Sequence, residues 1–162
     1  MFNDSRILSA LSQHSSLKNL NLAYNQFREL NHFNVSRLSN LEFLSLSGNM
    51  FNNSILSYVS TLSSLKILYL DDIRLKGIVD LQELDSLSNL EELDMGGNEI
   101  KKILFSKGET SLRKLTWLRL SNMSISDGNS LLQTLGLFPS LDSLEFDYNN
   151  FSGEVTTNGK LQ

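Results

Sequence analysis

One pattern constrains this chain more than any other: L-x-x-L-x-L-x-x-N-x-[LFI] occurs six times. It reads LKNLNLAYNQF from Leu17, LEFLSLSGNMF from Leu41 and LKILYLDDIRL from Leu65. LEELDMGGNEI from Leu90, LTWLRLSNMSI from Leu115 and LDSLEFDYNNF from Leu141 complete the series. The starts are 24, 24, 25, 25 and 26 residues apart. Self-similarity at such a period marks a solenoid, in which each unit is too small to bury its own apolar face and must stack on its neighbours. The fourth and sixth positions alternate with polar ones, which is the period of a half-buried strand. Leu20 and Leu22, Leu44 and Leu46, and Leu68 and Leu70 should therefore point inward.

Two further apolar columns precede each unit. Leu38, Leu62, Leu87, Leu112 and Phe138 lie three residues before it, and Leu11, Val35, Val59, Leu84 and Leu135 lie six before. They fill the core from the side opposite the strands, through short helical or 3-10 turns. The fold class implied is α/β: a leucine-rich-repeat solenoid of about six units with a parallel concave sheet. A partial repeat is expected over 1–16, the repeat domain over 17–153 and a tail over 154–162. Asn25, Asn49, Asn98 and Asn149 at the ninth position mark the turn leaving each strand, where a buried amide satisfies backbone groups. Ile73 and Met123 replace it in the third and fifth units, so those turns are expected to be looser.

The turn sequences carry a resemblance. Asn149-Asn150-Phe151-Ser152-Gly153-Glu154-Val155 follows the plant-type continuation N-x-L-S-G-x-I-P until Thr156 stands where proline would, and Lys76-Gly77-Ile78-Val79 is a weaker echo. From Leu8 to Gly153 the chain resembles plant extracellular leucine-rich-repeat receptors, especially receptor-like proteins without a kinase. The resemblance implies ligand perception in defence or development, at the plasma membrane or outside the cell, with a co-receptor as a second partner. Such receptors carry a signal peptide, a paired-cysteine cap, many more repeats and a membrane span, and this sequence shows none of them. A partial ectodomain or a truncated relative is therefore expected. Phe146 and Phe151 should leave an apolar end face open to self-association.

On the concave side the second, third, fifth, seventh and eighth positions form solvent-facing columns. Acids there number nine (Glu42, Asp71, Asp72, Glu91, Glu92, Asp94, Asp142, Glu145, Asp147) against three bases (Lys18, Lys66, Arg119), so this face is more acidic than the chain's net charge of −4. That balance favours a basic peptide or protein ligand. Phe43, Ile67, Tyr69 and Trp117 face outward beside these charges, and aromatic anchors dominate typical interfaces. The candidate ligand-binding residues are Phe43, Tyr69, Asp71, Glu92, Asp94, Trp117, Arg119 and Glu145. The competing, blander reading makes the acids solvated surface and the aromatics cross-strand cover.

Other chemistry has little to draw on. With no cysteine, disulfides, thiol nucleophiles and thiolate metal sites are excluded together. His14 and His32 lie in different units without a nucleophile motif, so no enzyme is expected. No cofactor is expected either: Asp71-Asp72 and Glu91-Glu92 lack the loop geometry of a calcium site, and Gly96-Gly97 lacks a phosphate-loop context. The acidic balance argues against nucleic acid, and no apolar run is long enough to span a membrane. Sequons begin at Asn3, Asn34, Asn52, Asn122 and Asn150, with Asn34, Asn52 and Asn122 the candidate glycan carriers. A recognition module leads the functional readings. The alternatives are an intracellular adaptor, an inhibitor of secreted microbial enzymes, and a truncated duplicate without independent function.

Overall fold

A computed structural model describes residues 9–11, 13–30, 37–105 and 109–151. Six three-residue strands form one sheet: β1 (Asn19–Asn21), β2 (Phe43–Ser45), β3 (Ile67–Tyr69), β5 (Glu92–Asp94), β7 (Trp117–Arg119) and β8 (Ser143–Glu145). All five pairings are parallel, and Leu20, Leu44, Leu68, Leu93, Leu118 and Leu144 sit in register across the sheet. The sequence period sets that alignment. Each unit returns the chain to the same height and direction, so every fourth-position leucine meets its equivalent from the neighbouring unit. The fold is the expected leucine-rich-repeat solenoid.

Packing follows the columns. Leu38, Leu62, Leu87 and Leu112 are fully buried beneath the strands, as are Val59 and Leu84 from the column six residues before each unit. Val35 lies outside the described residues. The side away from the sheet carries the helix Ile55–Val59, the 3-10 turn Leu81–Leu84 and the helix Gly128–Leu135. Asp80 and Asp127 start the latter two, accepting the backbone N–H of Gln82 and Ser130, each at 3.0 Å. Carboxylates at these positions satisfy donors the first turn cannot pair internally.

The eighth position of every unit adopts a left-handed backbone: Tyr24, Gly48, Asp72, Gly97, Asn122 and Tyr148 all have φ between 53° and 66°. This conformation turns the chain off the strand, and it accounts for Gly97 without any phosphate-binding role. Gly48 and Gly97 also leave room for a neighbour, because a Cβ there would collide with the Tyr24 ring and the Asp72 carboxylate respectively.

The asparagine ladder works between units as well as within them. Asn98 Nδ2 donates to the carbonyls of Leu70 at 2.8 Å and Met95 at 2.7 Å, while Oδ1 accepts the N–H groups of Ile73 at 3.2 Å and Leu75 at 3.0 Å. Asn49 bridges back to Leu22 and Phe27, and Asn149 back to Leu120 and Met123, in the same manner. The turns at Ile73 and Met123 therefore keep their hydrogen bonds, supplied by the asparagine of the following unit. Ile73 is fully buried and Met123 nearly so. These substitutions replace polar bridges with apolar packing at alternate junctions; they do not open the turns.

A second sheet was not anticipated. β4 (Lys76–Asp80) pairs in parallel with β6 (Glu99–Leu104) on the flank where the chain leaves the main sheet, with an irregularity that leaves Lys101 unmatched. Val79, Ile100 and Ile103 are buried in the core, and the unmatched Lys101 sets Ile100 and Ile103 three residues apart, so the two-residue alternation of a half-buried strand is interrupted there. Side chains close both edges of this sheet. Asn53 donates to the Lys76 carbonyl at 2.9 Å and accepts its N–H at 3.0 Å, and Thr134 Oγ1 donates to the Ile103 carbonyl at 3.2 Å.

Candidate ligand-binding face

The third and fifth residues of each pattern flank the inward leucine of each strand, so their side chains stand on the opposite face of the sheet. An aromatic line crosses this face. The Phe43 and Tyr69 rings meet edge to face at 5.6 Å and 85°, and Tyr69 meets Trp117 at 6.2 Å and 64°. Tyr69 and Trp117 reach each other across the fourth unit, which offers Glu92 and Asp94 at these positions and no ring of its own. Each polar tip is tethered to the next strand: Tyr69 OH donates to Glu92 Oε2 at 3.0 Å, and Trp117 Nε1 to Glu145 Oε1 at 3.2 Å. Arg119 donates to Asp94 Oδ2 at 3.0 Å, and its Nε lies 3.4 Å from Glu145 Oε2. The result is a half-buried, pre-oriented strip of rings backed by carboxylates.

Stacking redistributes the acidity expected of this face. Glu42 lies between Lys18 and Lys66, 2.8 Å from each, and these ammonium groups hold its carboxyl down to about 2. Asp94 and Glu145 share Arg119. Asp94 is buried, so desolvation raises its pKa even though the Gly96 N–H and Arg119 favour the charged form. Burial, followed by the Glu92 carboxylate, pushes the Tyr69 hydroxyl up to about 12, keeping it a neutral donor. Asp71 and Asp147 accept from Ser47 and Ser121 respectively, and neither forms an ion pair among the described residues. Acid without a paired cation therefore lies at both ends of the strands: Asp71, Asp72 and Asp147 where they end, and Glu91, Glu92 and Asp142 where they begin, the latter beside Lys18 and Lys66, which are paired with Glu42.

The sequence-predicted residues divide accordingly. Phe43, Tyr69, Glu92, Trp117, Arg119 and Glu145 lie in one connected network, and Asp71 stands beside it. Asp94 departs from expectation: at 6% exposure it lies beneath Arg119 and is not offered to solvent. Ser45, Ser47 and Ser121, also expected to face solvent, are buried, with Ser47 bonded to Ser45 and to Asp71 of the next unit and Ser121 to Asp147 of the next. Their supporting role was missed, although serine recurring at the seventh position was a visible signal. Of the sequons, Asn52 is exposed and accepts from the Ser54 N–H at 2.9 Å and Ser54 Oγ at 2.6 Å. Asn122 is exposed on its left-handed turn beside the strand face, and Asn34 lies outside the described residues.

Other chemistry can be located on the same structure. Among the described residues no group of three or more His, Asp or Glu side chains is placed to hold a metal. His14 is exposed, and His32 lies outside the described residues. None of the described helices is long and apolar enough to cross a membrane.

Comparison with known proteins agrees with the repeat geometry. The Leucine Rich Repeat family model matches residues 40–62. Receptor-like protein 1 of Arabidopsis thaliana is 34% identical over 108 residues, covering 64% of this chain and 10% of its own length. Receptor like protein 21 of the same plant is 30% identical over 132 residues, covering 76% and 13%. This chain therefore spans only about a tenth of the length of these relatives. Among solved structures, a leucine-rich-repeat protein of Leptospira interrogans superposes with a TM-score of 0.69 at 29% identity, over 88% of this chain and 34% of that one. An internalin C2 of Listeria monocytogenes gives a TM-score of 0.67 at 26% identity, over 88% and 57%. The chain is a leucine-rich-repeat protein, a partial relative of the plant leucine-rich-repeat receptor-like proteins.

Proposed function

We propose that residues 17–153 form a non-catalytic recognition module of a plant cell-surface receptor-like protein, binding a protein or peptide ligand on the strand face in defence or developmental signalling. The observation that carries this reading is the Phe43–Tyr69–Trp117 line. Three large rings are held half-buried and in fixed orientation by neighbours that leave them one accessible side. Rings already ordered lose little entropy when a ligand packs on them. The cation-free acids, Asp71, Asp72 and Asp147 where the strands end and Glu91 and Asp142 where they begin, favour a ligand carrying basic groups. Relatedness to receptor-like proteins supports placement at the cell surface, with signalling carried by a co-receptor. Glycans at Asn34, Asn52 and Asn122 belong to the same reading.

The test is selection of a random peptide library on the protein, followed by affinity and melting measurements on Trp117→Ala. Selected peptides should combine an aromatic or aliphatic residue with Lys or Arg, and should lose about tenfold or more in affinity on Trp117→Ala while the melting temperature hardly changes. Equal loss of affinity and stability would make the ring structural cover, and the proposal would fail.

A further inference from the structure

The flank formed by β4 and β6 has a chemistry opposite to that of the strand face. Ile78 is 62% exposed, more than any other large aliphatic among the described residues. Its register partner is Lys102, while Lys76 pairs with Glu99, so these four side chains share one side of the two-stranded sheet. Lys101, the unmatched residue, lines a groove of about 530 Å³ with Lys76, Gly77, Glu99 and Ser124. Lys76, Lys101 and Lys102 make no ion pair among the described residues, and Glu99 is the one acid lining the groove. In a chain of net charge −4 this patch is locally cationic.

We propose that this flank is a second interaction surface, independent of the strand face, which docks an acidic protein segment. An apolar side chain of the partner lies on Ile78, and its carboxylates meet Lys76, Lys101 and Lys102. Charge complementarity selects the partner, since three lysines around an exposed aliphatic outnumber the one groove acid, Glu99, and so attract acid and repel the basic ligand suited to the strand face. Asn53 and Thr134 occupy backbone groups along both sheet edges, so recognition runs through side chains on the face and not through an added strand. Phosphate-backbone binding is disfavoured by the small size of the patch and by the acidic remainder of the chain.

Anisotropy of a fluorescein-labelled EDFEDE peptide at low ionic strength tests this on the full chain, with circular dichroism to confirm that each variant folds. Affinity should fall about tenfold for Lys76→Glu/Lys101→Glu/Lys102→Glu and severalfold for Ile78→Ser, while Trp117→Ala leaves it unchanged. No binding by the wild type, or equal binding by the triple variant, overturns the proposal. Heparin binding that equals the peptide's and ignores Ile78→Ser also overturns it, making the patch a general polyanion surface.

Discussion

The fourth unit and the sixth are built from the same pattern but are buried very differently. Leu90, Leu93 and Met95 are fully buried, whereas Leu141 and Leu144 are half-buried and Phe146 and Phe151 are 45% and 38% exposed. The fourth unit has a neighbour on each side. The sixth packs on the fifth, and among the described residues its other side borders a cleft of about 270 Å³ lined by Leu131, Leu132, Leu135, Leu144, Phe146 and Phe151. Burial in a solenoid is thus a property of junctions between units and not of the units themselves. The same difference governs the asparagines: Asn98 is buried and makes five hydrogen bonds, while Asn149 makes three from a half-exposed position.

Truncating equivalent leucines should separate the two regions most strongly. Leu93→Ala is expected to cost about 3 kcal/mol, within the range for buried leucine, and Leu144→Ala about 1 kcal/mol because solvent already reaches that site. Denaturant midpoints measure both, and equal losses would mean that the end unit is as tightly held as the centre. The asparagine pair should show a smaller contrast. Asn98→Ala leaves buried backbone groups unpaired and should cost about 2 kcal/mol, against about 1 kcal/mol for Asn149→Ala. Amide hydrogen exchange would sharpen this comparison, because protection at Ile73 and Leu75 should drop in Asn98→Ala alone.

The smallest expected effect lies at the solvated edge near the N-terminal end. Folding lowers the Glu42 carboxyl from 4.5 to about 2, so its contribution to stability is present above pH 4.5 and fades as the pH falls towards 2. Glu42→Gln should therefore flatten the acid-induced loss of stability in that window and leave neutral-pH stability little changed, since the pair is exposed and screened. Superimposable acid titrations of the two proteins would show that the Lys18–Glu42–Lys66 bridge contributes nothing.

Much of the fold was legible in the sequence because a repeat needs only local information. Leu20, Leu44 and Leu68 could be assigned to one register from spacing and alternation alone, and the face bearing Phe43, Tyr69 and Trp117 followed from the same period. The flank sheet was harder to read: Lys76–Asp80 and Glu99–Leu104 carry weak alternation, and the unmatched Lys101 breaks their common register. Site chemistry was less legible still. Asp94 looked like one acid among nine, and only stacking put it under Arg119, 25 residues away. Asn98 reaches Ile73 across the same separation, turning an apparent defect of the ladder into a satisfied turn.

By itself, then, the sequence determined period, parallel register and which side chains face the core, because each depends on the alternation within one unit. The tertiary structure alone decided which charges are neutralised and which turns are bridged. Those outcomes depend on atoms about 25 residues apart that become neighbours only when one unit stacks on the next.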